Sequence, residues 1–402
     1  MEICIIGMGY IGLPTALMMA SHGISVIGVD CNSNVVEKLS RGDITFQEDG
    51  LPELFRAAKT KQIRFLKEYP QAGFYIIAVP TPYDVATKKI DASYVVKAMQ
   101  EVLKVCAEEA VIVIESTVSP GTIDREIRPL VSRSGKKVRL AHAPERILPG
   151  NMIYELQNNA RTIGSDDKET GQLVQQVYSS FCRGEIVLTD IRTAEMTKVV
   201  ENTFRDINIA YANELAKICR KNGMDVYEVI RIANKHPRVQ ILQPGPGVGG
   251  HCISVDPWFL VGDFPEDAKL IRQAREINSA MPEFVLERIQ SIMQAEGIDG
   301  LGHVGLYGLT YKENVDDVRE SPTLQLLEVI RRKGEDSPLV FDPMVQKDLV
   351  PRQCHDFQEF LSKVDMVVLL VGHSHIREHL GDLASKVVLD TRNLISSGIY
   401  KL

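Results

Sequence analysis

The chain has 402 residues, 44% of them apolar and 25% charged, and a formal net charge of −7. That length calls for two or three domains with real cores, and the acidic balance argues against nucleic acid or an anionic membrane as the main partner. Seven cysteines without a C-x-x-C pair give no disulfide framework and point to a reduced, cytoplasmic setting. A strand starts almost at residue 1, which leaves no room for a signal peptide, and no apolar run approaches the ~18 residues of a membrane span.

Residues 1–6 read as a short apolar strand. Gly7-Met-Gly9-Tyr10-Ile11-Gly12 follows and opens the helical segment Ile11–Ser21, with Pro14 tolerated in its first turn. Gly7 suits the tight turn, Gly9 the approach of a pyrophosphate, and Gly12 close helix–strand packing. Ile24–Val29 then delivers Asp30, eighteen residues after Gly12. An acid at that spacing accepts from the adenosine ribose and repels a 2′-phosphate, so NAD is expected rather than NADP.

Strands and helical patterns continue to alternate. Phe74–Val79 runs into Pro80-Thr81-Pro82, Ala110–Glu115 into Ser116-Thr117-Val-Ser-Pro-Gly121, and Val138–Ala143 into Pro144-Glu145-Arg146. In a doubly wound parallel sheet such loops gather at the carboxyl edge, where ligands bind. Thr117 and Glu145 are therefore candidates for the cofactor side, or else a helix N-cap and an ordinary exposed acid. Thr193–Asn222 reads as one long helix, with apolar residues from Met196 to Ile218 near a 3.6 period and Thr193 as N-cap. Lys198 and Asn202 sit one turn apart on its polar side. That stripe is either a solvated face or a cation and an amide aimed together at a reacting oxygen.

Pro244-Gly-Pro-Gly-Val-Gly249-Gly250-His251-Cys252-Ile-Ser-Val-Asp256 admits no regular element across its glycines and prolines. Such a loop brings backbone N–H groups to a ligand. A helix opened by Gly250 or His251 would put Cys252 and Asp256 on one face and favour the thiolate. Beside a cofactor-binding half, that reads as a nucleophilic cysteine rather than a buried structural one. The last hundred residues form a second nucleotide-type pattern: strand His303–Gly308, a loop with Tyr311, Lys312 and Arg319, a helix from Pro322, and strands Leu339–Phe341, Met366–Val371 and Val387–Leu389, the last leading to Arg392. Lys312 and Arg319 put two cations at a sheet edge, suited to a diphosphate. The two halves show no sequence repeat.

Together Gly7–Pro14, Pro80-Thr-Pro82, Glu115–Thr122, Pro144-Glu145, Lys198 with Asn202, Gly249–Asp256, Lys312 and Arg319-Glu-Ser-Pro322 resemble the UDP-glucose/GDP-mannose 6-dehydrogenase family over essentially the whole length. Within it, Ala194-Glu-Met196, Phe204-Arg-Asp206, His236-Pro-Arg-Val239 and Gly245–Phe259 are similar to the UDP-N-acetyl-D-mannosamine dehydrogenase branch. Pro149 and His251 stand where the glucose branch carries a second acid and a serine.

The resemblance implies an α/β fold of two Rossmann-like doubly wound domains joined by a long central helix. It divides the chain into an NAD-binding domain at 1–190, a central helical domain with the cysteine loop at 191–295, and a UDP-sugar-binding domain at 296–402. It further implies a homodimer through the central helix and a role in surface polysaccharide precursor synthesis, with no metal. The implied activity is NAD-dependent four-electron oxidation of carbon 6 of a UDP-N-acetylhexosamine through a thiohemiacetal and a thioester on Cys252. Lys198 and Asn202 would stabilise the oxyanion, Glu145 and Thr117 orient the hydrolytic water, and Asp256 act as a base or tune Cys252. The implied cofactor contacts are Gly7, Gly9, Tyr10, Ile11, Gly12, Asp30, Pro80, Thr81, Thr117 and Arg319. The implied substrate contacts are Glu145, Arg146, Lys198, Asn202, Arg205, His236, Arg238, Gly249, His251, Tyr311, Lys312 and Arg392, with Arg238 reaching across a dimer interface. UDP-ManNAc is the first expectation and UDP-GlcNAc or UDP-GalNAc the alternatives. A two-electron β-hydroxyacid-type dehydrogenase would have no use for Cys252 or the second nucleotide domain.

Overall fold

The computed structural model describes residues 2–59, 63–250, 252–396 and 399–402. The chain forms two compact units, Met1–Glu201 with Phe259–Pro265, and Asn202–Trp258 with Glu266–Leu402.

The first unit is built on eight strands: β1 (Glu2–Ile6), β2 (Ser25–Val29), β3 (Ile63–Leu66), β4 (Phe74–Ile77), β5 (Ala110–Ile114), β6 (Val138–His142), β7 (Arg161–Ser165) and β8 (Ile186–Thr189). Their order is β3-β2-β1-β4-β5-β6-β7-β8, with only the β6–β7 pair antiparallel. The crossover lies between β1 and β4, where Rossmann sheets bind dinucleotides. Alternate residues of each strand enter opposite layers. Ile3 and Ile5 pack with Leu13 and Leu17 of the first helix, while Cys4 and Ile6 join Tyr75, Ile112 and Ile114 on the other face. The first helix, Gly12–Ser21, is buried along nearly all of its length rather than amphipathic. It sits under other helices as well as on the sheet.

The second unit repeats the plan with β9 (Val304–Tyr307), β10 (Leu339–Phe341), β11 (Gln353–Cys354), β12 (Met366–Leu369), β13 (Val387–Asp390) and β14 (Tyr400–Lys401), all parallel, in the order β11-β10-β9-β12-β13-β14. The likeness extends to one acid. Asp30, just past β2, accepts from the N–H of Met8 through Oδ2 and from that of Asn32 through Oδ1, at 2.9 and 2.8 Å. Asp342, just past β10, accepts from Leu309 and Thr310 N–H through Oδ2 and from Met344 N–H through Oδ1, at 2.5, 3.0 and 2.7 Å. In each sheet a carboxylate at the end of the second strand holds the loop that leaves the first.

The central helix runs 31 residues, Ile191–Lys221, about 46 Å at ~1.5 Å per residue. It starts two residues before Thr193. Asp190 is the capping side chain, accepting from Thr193 N and Thr193 Oγ1 at 2.9 and 2.6 Å. Asp is the stronger N-cap of the two, and it stands upstream. Met196, Val200, Phe204, Tyr211 and Ile218 are exposed, so much of the apolar periodicity marks a face left open rather than a core. Among the described residues no helix is long and apolar enough to cross a membrane.

Candidate active site

In the first unit the glycine loop is shaped by its neighbours. Gly7 has φ +93°, and a Cβ there would meet the Ala78 carbonyl oxygen at 2.4 Å. A Cβ on Gly12 would sit 1.9 Å from the Gly7 carbonyl oxygen, whereas one on Gly9 would meet nothing within 4 Å. The loop thus presents open backbone at Gly9 and close packing on either side, the cradle a pyrophosphate needs at a helix N-terminus. The Tyr10 ring packs tilted against Phe46, with centroids 4.3 Å apart. Ser116 Oγ donates to the Val79 carbonyl at 2.7 Å and accepts from the Val79 N–H at 2.9 Å. That pair ties the Pro80-Thr81 loop to the Thr117 loop. Thr117 is half-buried and caps no helix, since the next helical segment begins at Ile123.

Glu145 is buried, not an exposed loop acid. Its Oε1 accepts from the Arg146 N–H at 2.7 Å, and its Oε2 accepts from Arg161 Nη2. The Arg146 guanidinium is engaged within the unit, donating to Glu201, Thr162 Oγ1 and the Ala160 carbonyl. On the central helix Glu195 is fully buried and accepts from the N–H groups of Gly121 and Ile123 at 2.5 and 2.9 Å. It thereby fastens the helix to the end of the Thr117 loop. Lys198, one turn on, is 7% exposed, so the stripe is not a solvated face. Among the described residues no hydrogen bond or ion pair to the Lys198 ammonium is found. The side chain is thus largely packed away from solvent, and an anionic or oxyanionic guest would give its ammonium a charged partner.

In the second unit Asn202, 6% exposed, donates from Nδ2 to Asp256 Oδ2 at 2.6 Å. The helix carrying Asp256 begins at Asp256 itself, Asp256–Asp263, not at Gly250 or His251. Cys252 precedes it in a turn, its carbonyl accepting from the N–H groups of Val255 and Asp256 at 3.1 and 2.8 Å. The reason lies in Gly250, whose φ of +85° cannot belong to a helix. The Gly250 N–H donates to the Arg319 carbonyl at 3.0 Å, and a Cβ on Gly250 would strike the Tyr311 ring at 2.7 Å. A Cβ on Gly249 would meet the Glu320 carbonyl oxygen at 2.5 Å. Cysteine loop and Tyr311–Pro322 segment are therefore pressed backbone to backbone. Cys252 is half-buried.

The Arg319 guanidinium forms a two-armed pair with Asp317, with contacts of 2.6 to 3.0 Å. Lys312 is half-exposed, and Arg392 and Arg205 are exposed. His236 and Arg238 lie exposed on the turn after the helix Val226–Ala233, where His236 Nδ1 accepts from the Arg238 N–H at 3.3 Å. His251 falls outside the described residues. Among the described residues no group of metal-binding side chains comes together.

Three charged groups carry no site role in the sequence reading: Glu115, Arg161 and Glu195. Glu115 adjoins Ser116-Thr117, and Glu195 precedes Lys198 by three residues, so position offered a hint for both. Arg161 opens β7, a strand whose Arg-Thr-Ile-Gly-Ser composition gave no alternation to read.

Three adjoining family models account for most of the chain. They are the NAD-binding domain of the UDP-glucose/GDP-mannose dehydrogenase family at residues 1–182, its central domain at 192–280, and its UDP-binding domain at 305–397. The chain belongs to this family. A UDP-N-acetyl-D-mannosamine dehydrogenase of Methanococcus maripaludis is 42% identical, over all of this chain and 94% of that protein. An NDP-N-acetyl-D-galactosaminuronic acid dehydrogenase of Ralstonia nicotianae is 42% identical over 98% of this chain and 96% of that one. The solved UDP-N-acetyl-mannosamine dehydrogenase of Staphylococcus aureus superposes with a TM-score of 0.89 at 39% identity, covering 100% of this chain and 98% of that one.

The chain is an NAD-dependent oxidoreductase of UDP-sugars. The cradle at Gly7–Gly12 and Asp30 fits NAD. Asp30 is fixed by the loop it serves, so Asp30→Asn, which retains an acceptor for the Met8 N–H, separates charge from scaffolding. We expect the unmodified protein to prefer NAD over NADP by at least tenfold, about 1.4 kcal/mol, and Asp30→Asn to lose most of that preference. Equal use of both cofactors by the unmodified protein, in initial-rate assays, would show that Asp30 does not face the ribose.

Proposed function

We propose that this enzyme oxidises carbon 6 of a UDP-N-acetylhexosamine, UDP-ManNAc to UDP-ManNAcA, from alcohol to carboxylate. The reading is supported above all by the full-length likeness to UDP-N-acetyl-D-mannosamine dehydrogenases, together with a competent residue at each position the chemistry needs. NAD, when bound, takes up hydride from carbon 6, and two are consumed per sugar with one water. Gly7, Gly9, Tyr10, Ile11, Gly12, Asp30, Pro80, Thr81, Thr117 and Arg319 are assigned to the cofactor. Between the two oxidations the Cys252 thiolate adds to the aldehyde carbon, and the resulting thiohemiacetal becomes a thioester. Lys198 and Asn202 stabilise the oxygen that turns anionic in each tetrahedral species. Asp256 takes the Cys252 proton, and Glu145 with Thr117 orients the water that releases the acid. Arg146, Arg205, His236, Arg238, Gly249, His251, Tyr311, Lys312 and Arg392 are assigned to the UDP-sugar.

The working form is a cytoplasmic homodimer. The exposed apolar stripe Met196, Val200, Phe204, Tyr211 and Ile218 on the central helix is the proposed contact, since exposed apolar patches commonly mark interfaces. Light scattering at micromolar protein should give twice the 44.8 kDa chain mass; a monomer there refutes it. Functional domains at 1–190, 191–295 and 296–402 and a role in surface polysaccharide precursor synthesis complete the reading.

One observation favours a second substrate: the Ralstonia relative, equally similar, carries an N-acetylgalactosaminuronic acid name. A panel of UDP-ManNAc, UDP-GlcNAc and UDP-GalNAc, scored by NADH formed, discriminates them. Exhaustive turnover of the accepted sugar should yield two NADH per sugar. A yield of one would eliminate the thioester route.

A further inference from the structure

Behind Glu145 lies a charged cluster that the chemistry above does not use. Arg161 is buried, and its guanidinium is divided between two acids. Nη2 donates to Glu145 Oε2, and Nη1 donates to Glu115 Oε1 at 3.3 Å. The Tyr178 hydroxyl donates to the same Glu115 oxygen at 2.9 Å, and the Tyr178 ring lies 4.2 Å from the guanidinium carbon. Glu115 Oε2 is buried and has no hydrogen-bond partner among the described residues. One cation between two acids cannot balance both in a dry pocket. Burial pushes the Glu115 carboxyl up to about 7, against the pull of Arg161 and with a push from Glu145. The other titratable groups that act on the cluster are Tyr178, raised well above its usual value by burial, and Cys182.

We propose that Arg161 is a positioning residue for Glu145, and that Glu115 sets the strength of its hold by competing for the same guanidinium. The proposal rests on the reading of Glu145 as the carboxylate that orients the hydrolytic water. With Glu115 protonated, Arg161 has one anionic partner, and Glu145 is fixed between the guanidinium and the Arg146 N–H. With Glu115 ionised, the guanidinium is drawn to a second anion and Glu145 is held less firmly. In the step concerned, a water oxygen bonds to the thioester carbonyl carbon. The carbon–sulfur bond breaks, its electron pair leaving on Cys252 Sγ. Glu145 receives the water proton and passes it to Sγ or to solvent. No electrons are exchanged with a cofactor.

The test follows thioester hydrolysis in single turnovers, with the acyl adduct weighed by intact-protein mass spectrometry, across about pH 6 to pH 9. Glu115→Gln keeps the shape and cannot ionise. Its hydrolysis rate should match the unmodified enzyme at the acid end and exceed it at least threefold at the alkaline end, the crossover falling near the Glu115 value of about 7. Arg161→Lys should hydrolyse about tenfold more slowly throughout, because a small misplacement of an orienting group is expensive, while the first hydride transfer stays within twofold. Far-ultraviolet dichroism establishes that it is folded. Two outcomes overturn the proposal alone, provided Glu145→Gln accumulates the adduct. One is a Glu115→Gln profile parallel to that of the unmodified enzyme; the other is an Arg161→Lys variant that slows both steps equally. If Glu145→Gln hydrolyses normally, the Glu145 reading fails, and the proposal falls with it.

Discussion

Cys252→Ala is expected to abolish carboxylate formation, by a factor too large for any residual route to mask. In the route proposed above, Cys252 captures the aldehyde covalently before the second hydride leaves its carbon. The substitution spares the scaffold. What the turn before the helix Asp256–Asp263 uses is the carbonyl of residue 252, which accepts from Val255 and Asp256 N–H, and alanine retains it. NAD affinity should be unchanged in equilibrium titration, since the NAD-binding domain model matches residues 1–182. Some aldehyde-level oxidation should survive. Cys252→Ser is the sharper probe, because a hydroxyl can still add but its ester is far less labile than a thioester, so a covalent sugar adduct should appear by mass. Alkylation should inactivate the native enzyme, with UDP-sugar protecting. Near-normal carboxylate production by Cys252→Ala would reduce Cys252 to a structural residue and discard the mechanism.

Lys198→Met should lower kcat by about 10²–10³, the usual loss when one donor to a developing oxyanion is removed. Its effect on stability should run the opposite way. Lys198 is 7% exposed, and a methionine of similar length keeps the packing of the apolar stem with no ammonium to hold out of bulk water. The variant should therefore melt at the same temperature or higher. A fall in melting temperature together with a fall in kcat would make Lys198 a structural cation. An unchanged kcat would remove it from the chemistry altogether.

How much could be read beforehand follows from the kind of signal each residue leaves. β1, β2, β4 and β5 are largely apolar runs ending in polar or Pro/Gly loops, the look of buried parallel strands, while β6, Val-Arg-Leu-Ala-His, was marked instead by the Pro144-Glu145 loop that follows it. Their loops, and with them Thr117 and Glu145, could be placed at one sheet edge. β3, β7 and β8 were missed, and so was Arg161. Each mixes charged or small residues with apolar ones over four or five positions, too few for a period. The long helix was legible, yet its periodicity could not say which apolar face is open, since exposure depends on what else packs there. The same blindness set Lys198 on a possible solvated stripe and made Glu145 a possible surface acid. Both are buried by elements distant in sequence. The helix expected to carry Cys252 and Asp256 on one face was started too early, because the left-handed backbone of Gly250 is not written in its neighbours.

The acids that follow β2 and β10 have a consequence for how the two sheets could diverge. A phosphate-facing loop ordinarily has to fold itself, and a glycine fingerprint is the mark of one that does. Here a carboxylate on the adjacent strand fastens the loop by its backbone, through Met8 in one sheet and Leu309 and Thr310 in the other. Backbone N–H groups are indifferent to the side chains they carry. The two turns keep one letter in common: Gly7 and Gly308 have φ of +93° and +99° and donate to the Val29 and Phe341 carbonyls, both at 2.8 Å, whereas Met8-Gly9 and Leu309-Thr310 share none. What the two halves have in common is thus strand order, one glycine and one aspartate, too sparse a set of letters for an alignment to register.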